Sequence, residues 1–226
     1  MDILIQFPTR KRKEKFLKYL QRYVETLSGK NEVTININCD TDDSEMNNQD
    51  TIDQIKAIYS NSIINFDDNL CKIEAINNNL DDKTFDVLVN AADDMWPTAS
   101  GWDEEIRKGF EEHFPNYDGS LHYDDGFQRD NISTLCIIGK PYYDRFGYIY
   151  HPDYKSLWCD NEFTDVARSL SRIVYISKVI IRHTHPCITH EKSDVVYRAA
   201  EINNKRDEMI YWKRRNLDFP QESVLS

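Results

Sequence analysis

The sequence has no C-x-x-C pair, no apolar run long enough to cross a bilayer, no internal repeat and no low-complexity segment. Each absence removes a class. The five cysteines, Cys39, Cys71, Cys136, Cys159 and Cys187, are scattered and odd in number, so they read as reduced thiols, and a structural zinc site is not expected. The longest apolar stretch, IVYISKVII, is interrupted and too short to span a membrane. DILIQF begins a strand with no charged-then-apolar leader, so the expected location is cytoplasmic, in a cell or a virus-infected host. Positive charge is also scarce. Lys and Arg number 28 against 39 Asp and Glu, a net charge of −11, which argues against a surface devoted to nucleic acid but permits a local basic groove.

What is there is a chain of 226 residues, enough for one sizeable core without disulfides. Its first half alternates strand and helix signals. ILIQF leads through the turn PTRKR into KEKFLKYLQRYVETL, where Phe16, Leu20, Val24 and Leu27 share a helical face and Gly29 supplies a stop. EVTININC alternates Val33, Ile35 and Ile37 before the polar burst DTDDSE. Helix TIDQIKAIYS, strand SIINF, helix NLCKIEAINNNL and strand FDVLVNA follow. Repeated strand-helix-strand units imply a mostly parallel sheet with right-handed crossovers. The second half offers helix SGWDEEIRKGFEEHF, strands LHYDD and STLCIIG, the aromatic loop KPYYDRFGYIYHPDYKSLWCDNEF, a strand region RIVYISKVIIRH and a helical tail from Ser193 to Trp212. A long irregular segment in a compact domain is more often functional than neutral.

Three acidic clusters punctuate this order: Asp40, Asp42 and Asp43; Asp93 and Asp94; Asp160 and Glu162. A parallel sheet puts the first two on one edge, the edge where open α/β sheets bind ligands. Taken singly, each is equally a solvated turn. HTHPCITH gathers His183, His185, Cys187 and His190, but Pro186 breaks the strand and no second cluster completes a zinc site.

The order of these motifs resembles the GT-A type of nucleotide-sugar glycosyltransferase, family 2-like, from about Ile3 to about His185. FPTRKR is similar to the family's nucleotide-side turn, INCDTDD to its base-contacting strand end, and CKIEAIN to its K-x-x-A-x-N helix. NAADD resembles the metal-binding acidic motif, with Ala92 at the usual first acidic position, WCDNEF the general-base region and RHTHP the late metal histidine. The resemblance implies an α/β, GT-A (Rossmann-like) fold, mostly parallel, with helices on its flanks and a C-terminal helical extension. Residues 1–190 would be the transferase domain, with a donor half to about 97 and an acceptor half after it, and 191–226 the extension.

The implied activity is metal-dependent transfer of a sugar from a nucleotide-diphosphate sugar to an acceptor hydroxyl, with inversion; the acceptor is a glycan or a modified DNA base. Mn²⁺ or Mg²⁺ is the implied cofactor. By the same resemblance Asp94 is the first metal ligand, joined by His185 or His183, and Pro8, Thr9, Arg10, Asp40, Asp43, Lys72 and Asp93 form the donor side. Trp96 and Trp102 follow the metal motif and are candidates for acceptor contact. Asp160 is the implied base and Glu162 the alternative, which gains weight if Asp160 caps the helix NEFTDVARSL. Lys72 reads equally as a surface lysine, and WKRR near the C-terminus as a solvated helix end or a modest phosphate handle. Two other readings stay open: a nucleotide-sugar-binding protein without turnover, kept alive by Ala92, and a metal-dependent nucleotidyltransferase.

Overall fold

The computed structural model of the chain describes residues 1–184 and 201–220. Its centre is a seven-stranded sheet. The strands are β1 (Asp2–Pro8), β2 (Glu32–Asp40), β3 (Ser62–Asp67), β4 (Val87–Asn90), β6 (Ser120–Tyr123), β7 (Ile137–Gly139) and β8 (Ile173–Ile176), in the spatial order β3-β2-β1-β4-β7-β6-β8. Only β7 runs against its neighbours; the β1–β2, β1–β4, β2–β3 and β6–β8 pairs are parallel. A separate ribbon pairs β5 (Met95–Pro97) antiparallel with β9 (Ile181–His183). The long apolar stretch read as one strand region is therefore two strands that serve different sheets.

Helices cover both faces, which is why β1 and β4 carry apolar side chains on both sides. Side chains alternate across a strand, so Ile3, Ile5, Phe7, Val87 and Val89 enter one core and Leu4 and Leu88 the other. The first core is closed by α1 (Lys13–Glu25), α2 (Gln49–Ile58) and α4 (Trp102–His113). The second is closed by α3 (Lys72–Asn77), α5 (Lys140–Tyr143), α6 (Cys159–Ser169) and α7 (Asn204–Asn216). Tyr142, Tyr143, Tyr150 and Tyr154 of the aromatic loop are buried in that second core. None of the described helices is long and apolar enough to cross a membrane.

The alternation in ININC has an unusual partner face. Ile35 and Ile37 enter the first core, while Asn36 and Asn38 are buried with Gln6 beneath α3. The last carbonyls of a helix lack partners within it, and these amides supply them. Gln6 Nε2 donates to the Ile76 and Asn78 carbonyls at 2.9 and 2.8 Å, and Asn38 Nδ2 to those of Ala75 and Asn78 at 2.9 and 3.1 Å. Asn65 Nδ2 donates to the Asn36 and Asn38 side-chain oxygens, both at 2.9 Å. From Asn78 the chain of bonds continues to Asn69 at 2.7 Å and on to Asp40 at 2.8 Å. It thereby ties the buried layer to the edge of the sheet where β2 ends.

Helix α7 is fastened by buried charge. The Asp207 carboxylate accepts the backbone N–H groups of Lys155, Ser156 and Leu157 at 3.1, 2.8 and 3.0 Å. Arg214 forms a two-pronged pair with Glu162 at 2.8–3.1 Å. Substituting Asn38→Ala should lower unfolding free energy by about 1–3 kcal/mol, the cost of leaving a buried polar group unsatisfied; urea denaturation followed by circular dichroism measures it.

Candidate functional site

The parallel strands β1, β2, β4 and β6 release their loops at one edge, so the turn Thr9–Arg12 and the acids Asp40, Asp42, Asp43, Asp93, Asp94 and Asp125 all emerge there. The first two acidic clusters do share an edge. Arg10 bridges Asp40 and, at 2.8 Å, Asp42. Asp43 is buried and accepts the Lys11 backbone N–H at 2.6 Å. Thr9 is held by its own N–H on the Asn38 carbonyl at 2.9 Å, and Pro8 ends β1 beside it. The residues expected on the donor side after β1 and β2 thus form one interlinked group.

Asp93 and Asp94, adjacent in sequence, have different surroundings. Asp93 is buried, with its carboxylate 2.8 Å from the Arg12 guanidinium and accepting the Thr9 hydroxyl at 3.3 Å. Burial pushes its pKa up, opposed by the charge of Arg12 and reinforced by that of Asp94. Asp94 is half-buried, with its carboxylate 3.8 Å from His183 Nε2. The other imidazole nitrogen, Nδ1, lies 3.5 Å from Asp125 Oδ2. Burial acts to lower the His183 pKa, but its contacts with Asp125 and Asp94 outweigh that and raise it to about 9. For Asp125, burial works upward and is overcome by His183, Thr134 and two backbone amides, which hold the carboxyl well below the usual range.

Asp160 occupies the first turn of α6, one residue inside the helix, and the cap position belongs to Trp158. The expected capping role for Asp160 is therefore absent; its carboxylate accepts the neighbouring Asn161 N–H at 3.0 Å. Burial raises its pKa, against the charges of Lys72 and His183 and the backbone N–H groups. Lys72, exposed at the start of α3, is the larger of those two opposing charges.

Two expectations need correction. Trp102 is fully buried, donates its indole N–H to the Tyr23 carbonyl at 3.3 Å and packs edge-on against the Tyr23 ring, so it is core and no acceptor can reach it. The Glu162 carboxylate, offered as an alternative base, is buried and saturated by Arg214 and by the Tyr154 hydroxyl at 2.8 Å. Trp96 is half-buried against α1, edge-on to Tyr19 and 5.5 Å from both the Lys18 and Arg22 cations. Arg214 of WKRR is likewise withdrawn from the surface. His185 lies outside the described residues. Sequence reading missed Asp125, although its signal, adjacent acids ending a strand in LHYDD, is the same as that of NAADD.

Among the described residues no cluster of three or more His, Cys, Asp or Glu side chains is arranged to hold a metal. A carboxylate and an imidazole at 3.8 Å nonetheless suit a cation that draws its other ligands from phosphate oxygens and water.

Because the folded-state pKa of His183 is raised from 6.5 to about 9, its ion pairs stabilise the chelator-treated protein fully below about pH 6.5 and are lost as pH rises through 9. Thermal melts across that window should fall more steeply for the native chain than for His183→Gln.

No family model and no curated protein sequence matches the chain. Solved structures do. A mannosyltransferase from Pyrobaculum calidifontis, in complex with GDP-Man and Mn²⁺, superposes with a TM-score of 0.69 at 13% identity, over 98% of this chain and 65% of that one. TarS 1-349 from S. aureus, in complex with UDP-GlcNAc, gives 0.62 at 15% identity, over 87% and 60%. The glucosyl-3-phosphoglycerate synthase from Mycobacterium tuberculosis, with Mn²⁺, UDP and phosphoglyceric acid, gives 0.59 at 10%, over 92% and 78%. The chain spans less than two thirds of the first two. At such identities the likeness establishes the fold: a single mixed α/β domain, its central sheet flanked by helices, of the Rossmann-like kind found in these glycosyltransferases.

Proposed function

We propose that the chain is a metal-dependent, GT-A type, family 2-like glycosyltransferase that moves a sugar from a nucleotide-diphosphate sugar to an acceptor hydroxyl with inversion. The observation that carries this reading is the meeting of Asp94 and His183, distant in sequence, at the strand edge that also carries Asp93 and the Arg10–Asp40 pair. Asp94 and His183 would hold Mn²⁺ or Mg²⁺, whose charge stabilises the departing diphosphate. An imidazole ligand inclines the site toward Mn²⁺.

The chain's own groups account for the rest. Thr9, Arg10, Asp40 and Asp43 offer a rigid, polar wall for the base and ribose, with Arg10 drawing Asp40 and Asp42 together. Arg12 neutralises Asp93 and allows a second acid to be buried beside Asp94. Asp160, its basicity raised by burial, is suited to taking the acceptor proton, and the charge of Lys72 works against that rise. One base and one displacement suffice for inversion. The use of Arg214 to pair Glu162 leaves Lys213 and Arg215 as the outward cations of WKRR, a weak handle for nucleic acid, and this favours a glycan acceptor over modified DNA.

A panel of nucleotide sugars incubated with Mn²⁺ tests the reading. Free nucleoside diphosphate should appear, and Asp94→Asn should cut its release by about 10²–10³-fold, the scale of losing one electrostatic stabiliser. Pyrophosphate release would point instead to nucleotidyl transfer, and a donor that raises the melting temperature without any release would point to a binding protein. Asp160→Asn should lower kcat by about 10²–10⁴-fold with the donor-induced thermal shift intact. Glu162→Gln should destabilise the fold while the folded fraction keeps its kcat.

A further inference from the structure

We propose that Asp125 is a positioning residue for the cation site: through His183 Nδ1 it fixes the tautomer and ring orientation that turn Nε2 toward Asp94. The inference rests on the reading of Asp94 and His183 as cation ligands and adds the residue that organises them.

The Asp125 carboxylate is held on both oxygens. It is buried; Oδ1 accepts the backbone N–H groups of Phe127 and Gln128, both at 2.7 Å, and Oδ2 accepts the Thr134 hydroxyl at 2.7 Å. His183 Nδ1 stands 3.5 Å from Oδ2, an ion-pair distance longer than an ordinary hydrogen bond, and a carboxylate oxygen has room to accept this second donor. The imidazole is constrained from other sides as well. Its backbone N–H donates to the Asp125 carbonyl at 2.8 Å, the next N–H, of Thr184, to the Asp94 carbonyl at 2.6 Å, and the Phe127 ring meets it edge-on at 6.2 Å. The histidine is therefore suspended between the β4 and β6 loops, one carboxylate on each nitrogen. A proton retained on Nδ1 and directed at Asp125 leaves the Nε2 lone pair for a cation, and a carboxylate behind a ligating imidazole also raises its basicity.

Asparagine at 125 reverses this preference with little change in shape. Its carbonyl oxygen can keep the Phe127 and Gln128 amides, but its NH₂ then faces Thr134 and His183. An NH₂ donates to Nδ1 and drives the imidazole proton onto Nε2, the nitrogen needed for the ion. Titrating Mn²⁺, with electron paramagnetic resonance reporting the free ion, should show Asp125→Asn binding 10–100-fold more weakly than the native chain, the usual effect of losing such a partner. Thr134→Val removes a hydrogen bond from the same carboxylate without touching the imidazole and should keep native Mn²⁺ affinity within a few-fold. Equal affinity in Asp125→Asn and the native chain, or equal losses in both variants, would overturn the positioning role. Absence of Mn²⁺ binding by the native chain would overturn the cation site itself. Should Asp125→Asn fail to fold, nitrogen NMR of the native chain loaded with diamagnetic Mg²⁺ decides: a proton on Nδ1 of His183 supports the inference, and one on Nε2 defeats it.

Discussion

The polar edge of this molecule is assembled by a ribbon of two three-residue strands. Paired β5 and β9 carry His183 opposite Met95, and the ribbon continues into the Thr184 N–H bond to the Asp94 carbonyl. So short a pairing has little stability of its own, and α1 supplies the support. Trp96 is clamped between Lys18, Arg22 and Tyr19; Arg22 Nε donates to the Pro97 carbonyl at 2.8 Å; and the Tyr19 and Thr184 hydroxyls meet at 2.7 Å. Buried Met95, Ile180 and Ile181 anchor the other side in the first core. Trp96 thus contributes by holding the ribbon that brings His183 to Asp94.

The electrostatic problem at this edge follows from that assembly. Several carboxylates are concentrated in a protein that is already at −11, and the fold answers with a specific donor for each. Asp40 and Asp42 share Arg10, Asp43 takes the Lys11 amide, Asp93 takes Arg12, and Asp125 takes two amides and a hydroxyl. Between Asp94 and Asp125 the positive charge is a proton on His183, which is why its pKa climbs to about 9 despite burial. A cation taking up Nε2 would replace that proton with greater charge at the same point. On the proposed reading, proton and cation would compete for that one nitrogen, between the same two carboxylates.

Much of this architecture was legible from periodicity. The apolar alternation in β1, β2 and β4 and the apolar face of α1 are direct consequences of burial, and acids directly after strands had to reach the same edge once the strands ran parallel. What escaped was set by contacts distant in sequence. The alternation of Val33, Ile35 and Ile37 says nothing of where Asn36 and Asn38 go; they are buried because α3 ends above them with unsatisfied carbonyls. Glu162 looked like a free acid because its partner lies on a helix 52 residues away. Trp102 looked available because it followed the acidic motif, whereas the first turn of α4 directs it into the core. Local pattern reports which faces are apolar; it does not report which polar group has been claimed by another element.

The C-terminal helix shows how such a remote claim bears on chemistry. Trp158, the cap residue of α6, has φ of 64°, a left-handed conformation that costs a non-glycine residue about 1 kcal/mol or more. It is held there by its indole N–H on Asn204 at 2.9 Å and by the preceding loop wrapped on Asp207. With Trp158 as the cap, Asp160 falls inside the first turn. A carboxylate at the cap would accept the free amides of the helix start and lose basicity. Two residues inward, it is half-buried, and desolvation raises its pKa instead. Glu162, one half-turn further, is spent on Arg214 and fixes the helix against α7. The two acids thus differ because of α7, which takes the Glu162 carboxylate as an anchor through Arg214 and leaves Asp160 unpaired with it, the difference on which the proposed choice of base rests.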